Sequence, residues 1–218
     1  NKSAAQIIKD VAQSCGINPK AIIVLLEKEE ALVSDDWPWN IQYRSATGYG
    51  CPDSTPGVCD SNYYGFFNQV YNAARQFKKY YRDESQYSYR ANRSNYIQWS
   101  PSAACGGSNV YIENQATAGL YNYTPYQPNA AALANLYGSG DTCSAYGNRN
   151  FWRLFNDWFG SPIGCIGVDP SFIYRLYRYS DGDFLYTQNG AEICQATKYY
   201  GYSIDGPAMK SVGASDPG

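Results

Sequence analysis

The stretch Ile17–Val33, INPKAIIVLLEKEEALV, predicts the helix around which the first part of the chain folds. Asn18 is a favourable N-cap, and Pro19 suits the first helical position, where its missing N–H group is not needed. At about 100° per residue, one narrow stripe of this helix carries four side chains. These are Ile22, Leu26, Glu29 and Val33. An acidic side chain therefore lies in the middle of an apolar helix face.

This acidic residue, Glu29, has two explanations. A carboxylate among aliphatic side chains is costly to ionise, and a carboxylic acid that stays protonated at neutral pH can serve as a general acid. Alternatively, Glu29 is a structural residue near the helix end that pairs with an Arg or a Lys. Glu27 and Lys28 fall outside the apolar face and Glu30 lies at its edge, so the pattern selects Glu29.

The composition excludes several classes of function. The 218 residues include no His, which removes Ser-His and Cys-His nucleophiles and every His-based zinc site. No Cys-x-x-Cys pair offers an all-cysteine zinc site, and the chain is expected to need neither a metal nor an organic cofactor. A net charge of −2 gives no general reason to bind nucleic acid, and no apolar run is long enough for membrane insertion. Acid–base chemistry would therefore depend on carboxylates.

The chain is also rich in Tyr, with 23 copies, and it contains 7 Cys. Tyr fills protein cores and also stacks on sugar rings, and composition alone favours the core. The cysteines indicate an oxidising compartment and therefore a secreted, extracellular protein, and their odd number leaves at least one unpaired. The chain starts at Asn1 without Met or a signal peptide, which fits a processed or trimmed form.

Hydrophobic periodicity divides the chain into a large helical region and a small β-rich one. Helical patterns occur at residues 4–14, 17–33, 63–81, 114–122, 130–137 and 149–159. Residues 34–61 lose this period and are rich in Pro and Gly, which predicts a long loop with a small hairpin. Residues 163–218 alternate like strands. We expect two domains, 1–162 and 163–218, in a mainly α (α+β) class.

The positions of the cysteines predict three disulfides. Cys51 and Cys59 flank the Pro- and Gly-rich loop, Cys105 and Cys143 border the segment around Tyr121, and Cys165 and Cys194 bracket the C-terminal hairpin. Each closed loop is expected to contribute about 2–4 kcal/mol. Cys15 would then be the free thiol, buried as a small hydrophobic residue.

Three motifs follow one another in the first part of the chain. They are Leu26-Glu-Lys-Glu29, Arg44-Ser-Ala-Thr-Gly-Tyr-Gly-Cys-Pro-Asp53 and Tyr63-Tyr-Gly-Phe-Phe-Asn-Gln69. With a Tyr-Asn-Tyr-Thr-Pro segment at 121–125, they resemble the lysozyme-like superfamily of peptidoglycan-cleaving glycosidases, and more narrowly a secreted bacterial group within it. The likeness covers roughly residues 3–160. The C-terminal Tyr174-Arg-Leu-Tyr177 and Gly182-Asp-Phe-Leu-Tyr-Thr187 resemble a short repeat appended to secreted hydrolases.

The resemblance implies a mostly α-helical lysozyme-like fold with a small β-rich loop region in the cleft, followed by a small β-rich C-terminal appendage. It also implies cleavage of the β-1,4 bond between N-acetylmuramic acid and N-acetylglucosamine. Glu29 matches the catalytic acid. Gln69 matches the substrate-binding Gln of the Gly-Leu-Met-Gln motif of lytic transglycosylases, although the motif is one residue longer here. The segment from Tyr121 is similar to a Tyr-Asn motif whose Tyr supports the acid. The usual Ala-Gly after that motif is replaced, which leaves Tyr121 and Tyr123 as alternatives.

The outcome of the reaction depends on a second carboxylate. An inverting hydrolase needs one that activates water, whereas a lytic transglycosylase uses a single carboxylate and returns a 1,6-anhydro sugar. Asp53, in the disulfide-closed loop, is the first candidate, and Asp36, also a substrate-binding candidate, is the second. Either Asp could instead cap a turn.

We therefore expect a monomeric muramidase whose partners are peptidoglycan glycan strands. A lytic transglycosylase is the alternative within the same family resemblance. A non-catalytic glycan-binding module and a structural or adhesion protein are the alternatives of other classes.

Overall fold

The computed structural model describes residues 2–52, 55, 57–160 and 172–210. The chain separates into two units, Asn1–Leu154 and Phe155–Gly218. The described residues form eight α-helices and two small antiparallel sheets, which confirms the mixed α+β class. None of the described helices combines the length and the apolar character that a bilayer crossing requires.

Helices dominate the first part of the chain. They are α1 (Ala4–Cys15), α2 (Pro19–Glu30), α3 (Asn40–Arg44), α4 (Phe66–Arg82), α5 (Gln115–Tyr123), α6 (Ala130–Ala134) and α7 (Gly147–Phe159). Strands β1 (Arg93–Gln98) and β2 (Gly107–Ile112) pair antiparallel, with Ile97 opposite Ser108. Short 3-10 turns cover Ser61–Tyr63, Glu84–Gln86 and Ala103–Cys105.

Helix α2 begins as its sequence predicts but ends earlier. The Asn18 side chain accepts a hydrogen bond from Lys20 N at 3.0 Å. The helix stops at Glu30 because Ala31 adopts a left-handed conformation, with φ 52°. The carboxylate of Glu27 then accepts hydrogen bonds from the backbone N–H groups of Val33 and Ser34, each at 3.0 Å. The prediction that Val33 continues the apolar stripe is therefore wrong, and Val33 is 48% exposed.

The core of the first unit forms where α1, α2 and α4 meet. Ile22 and Leu26 of α2 pack with Val11 of α1 and Val70 of α4 in one buried cluster. Burial of each such side chain contributes about 1.5–3 kcal/mol. The C-terminal part of α2 is therefore anchored by a buried cluster that three helices share.

The second unit is a small sheet with one helix. Strands β3 (Phe172–Arg178), β4 (Asp183–Thr187) and β5 (Tyr202–Lys210) are antiparallel in the order β4-β3-β5. Helix α8 (Gly190–Tyr199) supplies Ile193 and Ala196, which pack against Tyr174 and Leu176 of the central strand. The hairpin predicted around Gly182 is therefore present.

Two of the predicted disulfides, Cys51–Cys59 and Cys105–Cys143, are confirmed. Cys165 lies outside the described residues, so its pairing with Cys194 stays a prediction. Cys15 carries a free thiol that is half-buried against the main cluster rather than fully enclosed. Burial still raises the pKa of Cys15, and nearby Lys78 opposes that shift.

Candidate active site

An open cleft of about 690 Å³ lies beside the C-terminal end of α2. Residues from distant parts of the first unit line it, and they include Glu29, Glu30, Ser45, Gly48, Tyr123 and Tyr126. The disulfide Cys51–Cys59 contributes to the same wall. The cleft therefore combines a helix held by the core with a loop closed by a covalent bond.

Glu29 faces this cleft and also has a cationic partner. Its Oε1 atom lies 2.6 Å from Lys28 Nζ, and its side chain is 27% exposed. Lys28 is 6% exposed in its side chain and donates a hydrogen bond to Thr124 Oγ1 at 3.0 Å. Lys28 is covered although it lies outside the apolar face of α2, because the segment carrying Thr124 packs over it. The pairing of Glu29 with a Lys is therefore confirmed, and its carboxyl group also lines a cleft, while its role as a general acid stays a prediction.

The loop after α3 approaches Glu29 through a glycine. A Cβ atom at Gly48 would lie 3.4 Å from Glu29 Cδ and from Glu29 Oε2. The φ angle of Gly48 is +68°, a backbone conformation that residues other than glycine rarely adopt. Gly48 therefore lets the loop turn where its backbone meets the carboxyl group.

Tyr123 lies near Glu29 and lines the same cleft. Its hydroxyl donates a hydrogen bond to the carbonyl of Thr47 at 2.8 Å, and its ring stacks on Phe77 with centroids 4.8 Å apart. Burial raises the pKa of Tyr123 far above its ordinary value, and the nearby Glu29 carboxylate adds to that effect. The Tyr123 hydroxyl therefore remains a proton-bearing donor that braces the cleft loop.

Tyr121, the alternative to Tyr123, belongs to a different part of the unit. It packs against the small cluster of Ile97, Ile112 and Ala118, and its ring meets Tyr89 edge-on with centroids 6.0 Å apart. Tyr121 does not line the cleft. The structure thus places Tyr123, and not Tyr121, beside Glu29.

Gln69 is fully buried, although the sequence predicted a substrate-binding residue or an exposed helix-start Gln. Its Oε1 atom accepts hydrogen bonds from the backbone N–H of Thr47 at 3.2 Å and of Tyr49 at 3.1 Å. Its Nε2 group donates to the carbonyls of Tyr49 and Tyr63, at 2.9 and 2.8 Å. With no solvent-accessible surface, the side chain cannot touch a substrate in this conformation. It holds the loop that carries Gly48.

Glu30 is the cleft residue that the sequence pattern passed over. Its Oε1 atom accepts a hydrogen bond from Ser45 Oγ at 2.7 Å. Burial raises the pKa of Glu30; the Ser45 hydrogen bond opposes the shift, and the neighbouring Glu29 carboxylate adds to it. No helical period predicts this environment, because Ser45 comes from a separate loop.

The two aspartates proposed as second carboxylates have different outcomes. Asp53 lies outside the described residues, so its role stays a prediction. Asp36 is exposed and is not one of the residues that line the cleft. Its neighbour Asp35 caps a turn by accepting from Trp37 N at 2.9 Å, and hydrogen bonds, first from Gln42 and then from Trp37, lower the pKa of Asp35.

The cleft is therefore lined by Tyr123 and, among the described residues, by two carboxyl groups, those of Glu29 and Glu30. Such groups can donate a proton to an oxygen atom of a bound molecule. Within the described residues, no cluster of three potential ligands is arranged for a metal ion. Comparisons with family models, curated proteins and solved structures find no match to this chain.

Proposed function

We propose that this chain is a lysozyme-like glycosidase that cleaves the β-1,4 bond between N-acetylmuramic acid and N-acetylglucosamine in bacterial peptidoglycan. The observation that carries the proposal is the position of the Glu29 carboxyl group in an open cleft, at the end of a helix anchored in the core. The sequence motifs around Glu29, Gly48 and Gln69 supply the substrate class through their resemblance to that superfamily. The confirmed disulfides fit action outside the cell.

In the proposed reaction, Glu29 donates a proton to the oxygen of the leaving sugar as the glycosidic bond breaks. The anomeric carbon then carries oxocarbenium character. Lys28, held by Thr124, contacts Oε1 of Glu29 and stabilises the carboxylate that forms when the proton has passed to the leaving oxygen. The proton transfer itself requires hydrogen-bond distance to the leaving oxygen.

One observation favours lytic transglycosylation as a second candidate. Among the described residues that line the cleft, the acidic ones are Glu29 and Glu30, which are adjacent on one helix. An inverting hydrolase needs a base roughly 6.5–9.5 Å from the acid, on the opposite face of the sugar, to activate water. A transglycosylase needs no second carboxylate, because Glu29, once it has given up its proton, can accept the proton of the substrate hydroxyl that attacks the anomeric carbon. Asp53 remains the proposed base for the hydrolase.

The test is digestion of purified peptidoglycan by the wild-type chain, by Glu29→Gln and by the matched control Glu27→Gln. Glu27 lies on the same helix, but its carboxylate caps the residues after α2, outside the cleft. Loss of a general acid lowers the rate by about 10²–10⁴-fold, so Glu29→Gln should release almost no soluble fragments while Glu27→Gln stays active. Near-normal release by folded Glu29→Gln would overturn the assignment.

Mass spectrometry of the released fragments separates the two reactions. Muramic acid with a free reducing end identifies hydrolysis. A fragment lighter by one water molecule, with an anhydro end, identifies the transglycosylase. Peptidoglycan that is bound but never cleaved by the wild-type chain would instead identify a non-catalytic binding protein.

A further inference from the structure

The sheet of the second unit has one covered face and one open face. Tyr174 and Leu176 of β3 point toward α8, where they pack with Ile193. Successive side chains of a strand alternate between the two faces, so Arg175 and Tyr177 point the other way. Their partners in β4 are Tyr186 and Phe184, which lie directly opposite and share that face.

This open face carries a contiguous group of aromatic rings. Tyr177 packs on Phe184 with centroids 4.8 Å apart and meets Tyr179 edge-on at 4.7 Å. Phe184 is 51% exposed and Tyr186 is 53% exposed. Contact between contiguous apolar rings and water is unfavourable, and such a group of rings is typical of a surface that binds a ligand.

An ion pair with no net charge lies among these rings. Arg175 forms an ion pair with Asp205 of β5, and its guanidinium carbon lies 5.7 Å from the centroid of the Phe184 ring. The pair offers both N–H donors and carboxylate acceptors without a net charge. We name the patch formed by Arg175, Tyr177, Phe184, Tyr186 and Asp205 the aromatic sheet face.

We propose that the aromatic sheet face is a second carbohydrate-binding site, separate from the cleft, that takes a short, uncharged stretch of glycan. The apolar C–H face of a pyranose ring covers an aromatic ring, and its hydroxyl groups pair with donors and acceptors at the edge. Tyr186 and Phe184 supply the rings, and Arg175 with Asp205 supplies the polar contacts. The neutral pair does not favour a strongly charged partner.

The size of the face also favours a glycan over a protein. The five residue pairs between β3 and β4, with β5 as the third strand, cover roughly 16 by 10 Å at the usual strand spacings. A stable protein interface draws on roughly 20–30 residues of each partner, whereas the aromatic sheet face consists of five. A short run of sugar rings fits the smaller surface.

The test uses the full chain with Glu29→Gln, so that the glycan is not consumed, and measures co-sedimentation with insoluble peptidoglycan. Peptidoglycan as the probe rests on the proposed function. In this background, Phe184→Ala with Tyr186→Ala should weaken binding about tenfold, because two ring surfaces are lost. Tyr186→Phe, which keeps the ring, should weaken binding much less than Tyr186→Ala. Tyr200→Ala is the matched control, because Tyr200 is 61% exposed in the same unit but outside the face.

Unchanged binding by the folded double variant, or an equal loss in Tyr200→Ala, would overturn this proposal. Self-association of the parent chain that the double variant abolishes would overturn it too, since the face would then join two copies. Failure of the cleft proposal looks different. The wild-type chain would release no fragments, while the ring-dependent binding would persist.

Discussion

The cleft of the first unit and the aromatic sheet face of the second unit differ in how far their side chains are exposed to water. In the first unit, Gln69 is fully buried and the Tyr123 hydroxyl is committed to the Thr47 carbonyl. In the second unit, Phe184 and Tyr186 leave about half of their surface in water. Chemistry on a bond requires groups held in place by internal contacts, whereas stacking on a polymer requires accessible rings. Changes at supporting residues should therefore be far more harmful in the first region than in the second.

The largest effect on stability is expected for Gln69→Leu. The variant keeps the size of the side chain but leaves the buried backbone groups of Thr47, Tyr49 and Tyr63 without partners. We expect a loss of about 4 kcal/mol in the free energy of unfolding of the first unit, measured by urea denaturation. Gln13→Leu, at an exposed position of α1, is the control and should change it little. A loss below about 1 kcal/mol at Gln69 would show that the loop does not depend on this side chain.

A smaller effect is expected for Gly48→Ala, compared with Gly201→Ala in the second unit. Both glycines have positive φ angles, +68° and +72°, so each substitution should cost about 1–2 kcal/mol of stability. A Cβ at Gly48 meets Glu29, whereas one at Gly201 meets nothing within 4 Å. Release of peptidoglycan fragments should therefore fall about ten- to a hundredfold in Gly48→Ala alone. Equal activities of the two variants would show that the position of Glu29 does not depend on the loop that carries Gly48.

The smallest effect is expected for Glu30→Gln and depends on pH. Burial raises the pKa of Glu30 above its ordinary value of 4.5. The stability that the protonated form of Glu30 contributes is therefore fully present below pH 4.5 and is lost as the pH rises through the raised pKa. The Gln amide removes this titration but still accepts from Ser45. The Tm of the variant should therefore rise relative to the Tm of the wild type as the pH increases from about 4 to about 7. Parallel Tm curves across this range would contradict the expected burial of Glu30.

The local features of this chain were predictable from its sequence. Asn18 and Pro19 correctly predict the start of α2, because helix capping depends only on residues that are neighbours in the sequence. Spacing around the Pro- and Gly-rich loop predicted the Cys51–Cys59 disulfide, and alternation predicted the β3–β4 hairpin. The early end of α2 was missed, because the left-handed Ala31 has no glycine to signal it.

Tertiary structure alone decided which side chains meet at the cleft. The environment of Glu30 depends on Ser45, that of Gln69 on Thr47 and Tyr49, and that of Lys28 on Thr124, which is 96 positions away in the chain. Helical periodicity describes one element and states which face is apolar, but not which loop covers its edge. The same limit separates Tyr121 from Tyr123. Two positions on one short helix reach different surroundings, a β-sheet cluster for the first and Phe77 and Glu29 for the second.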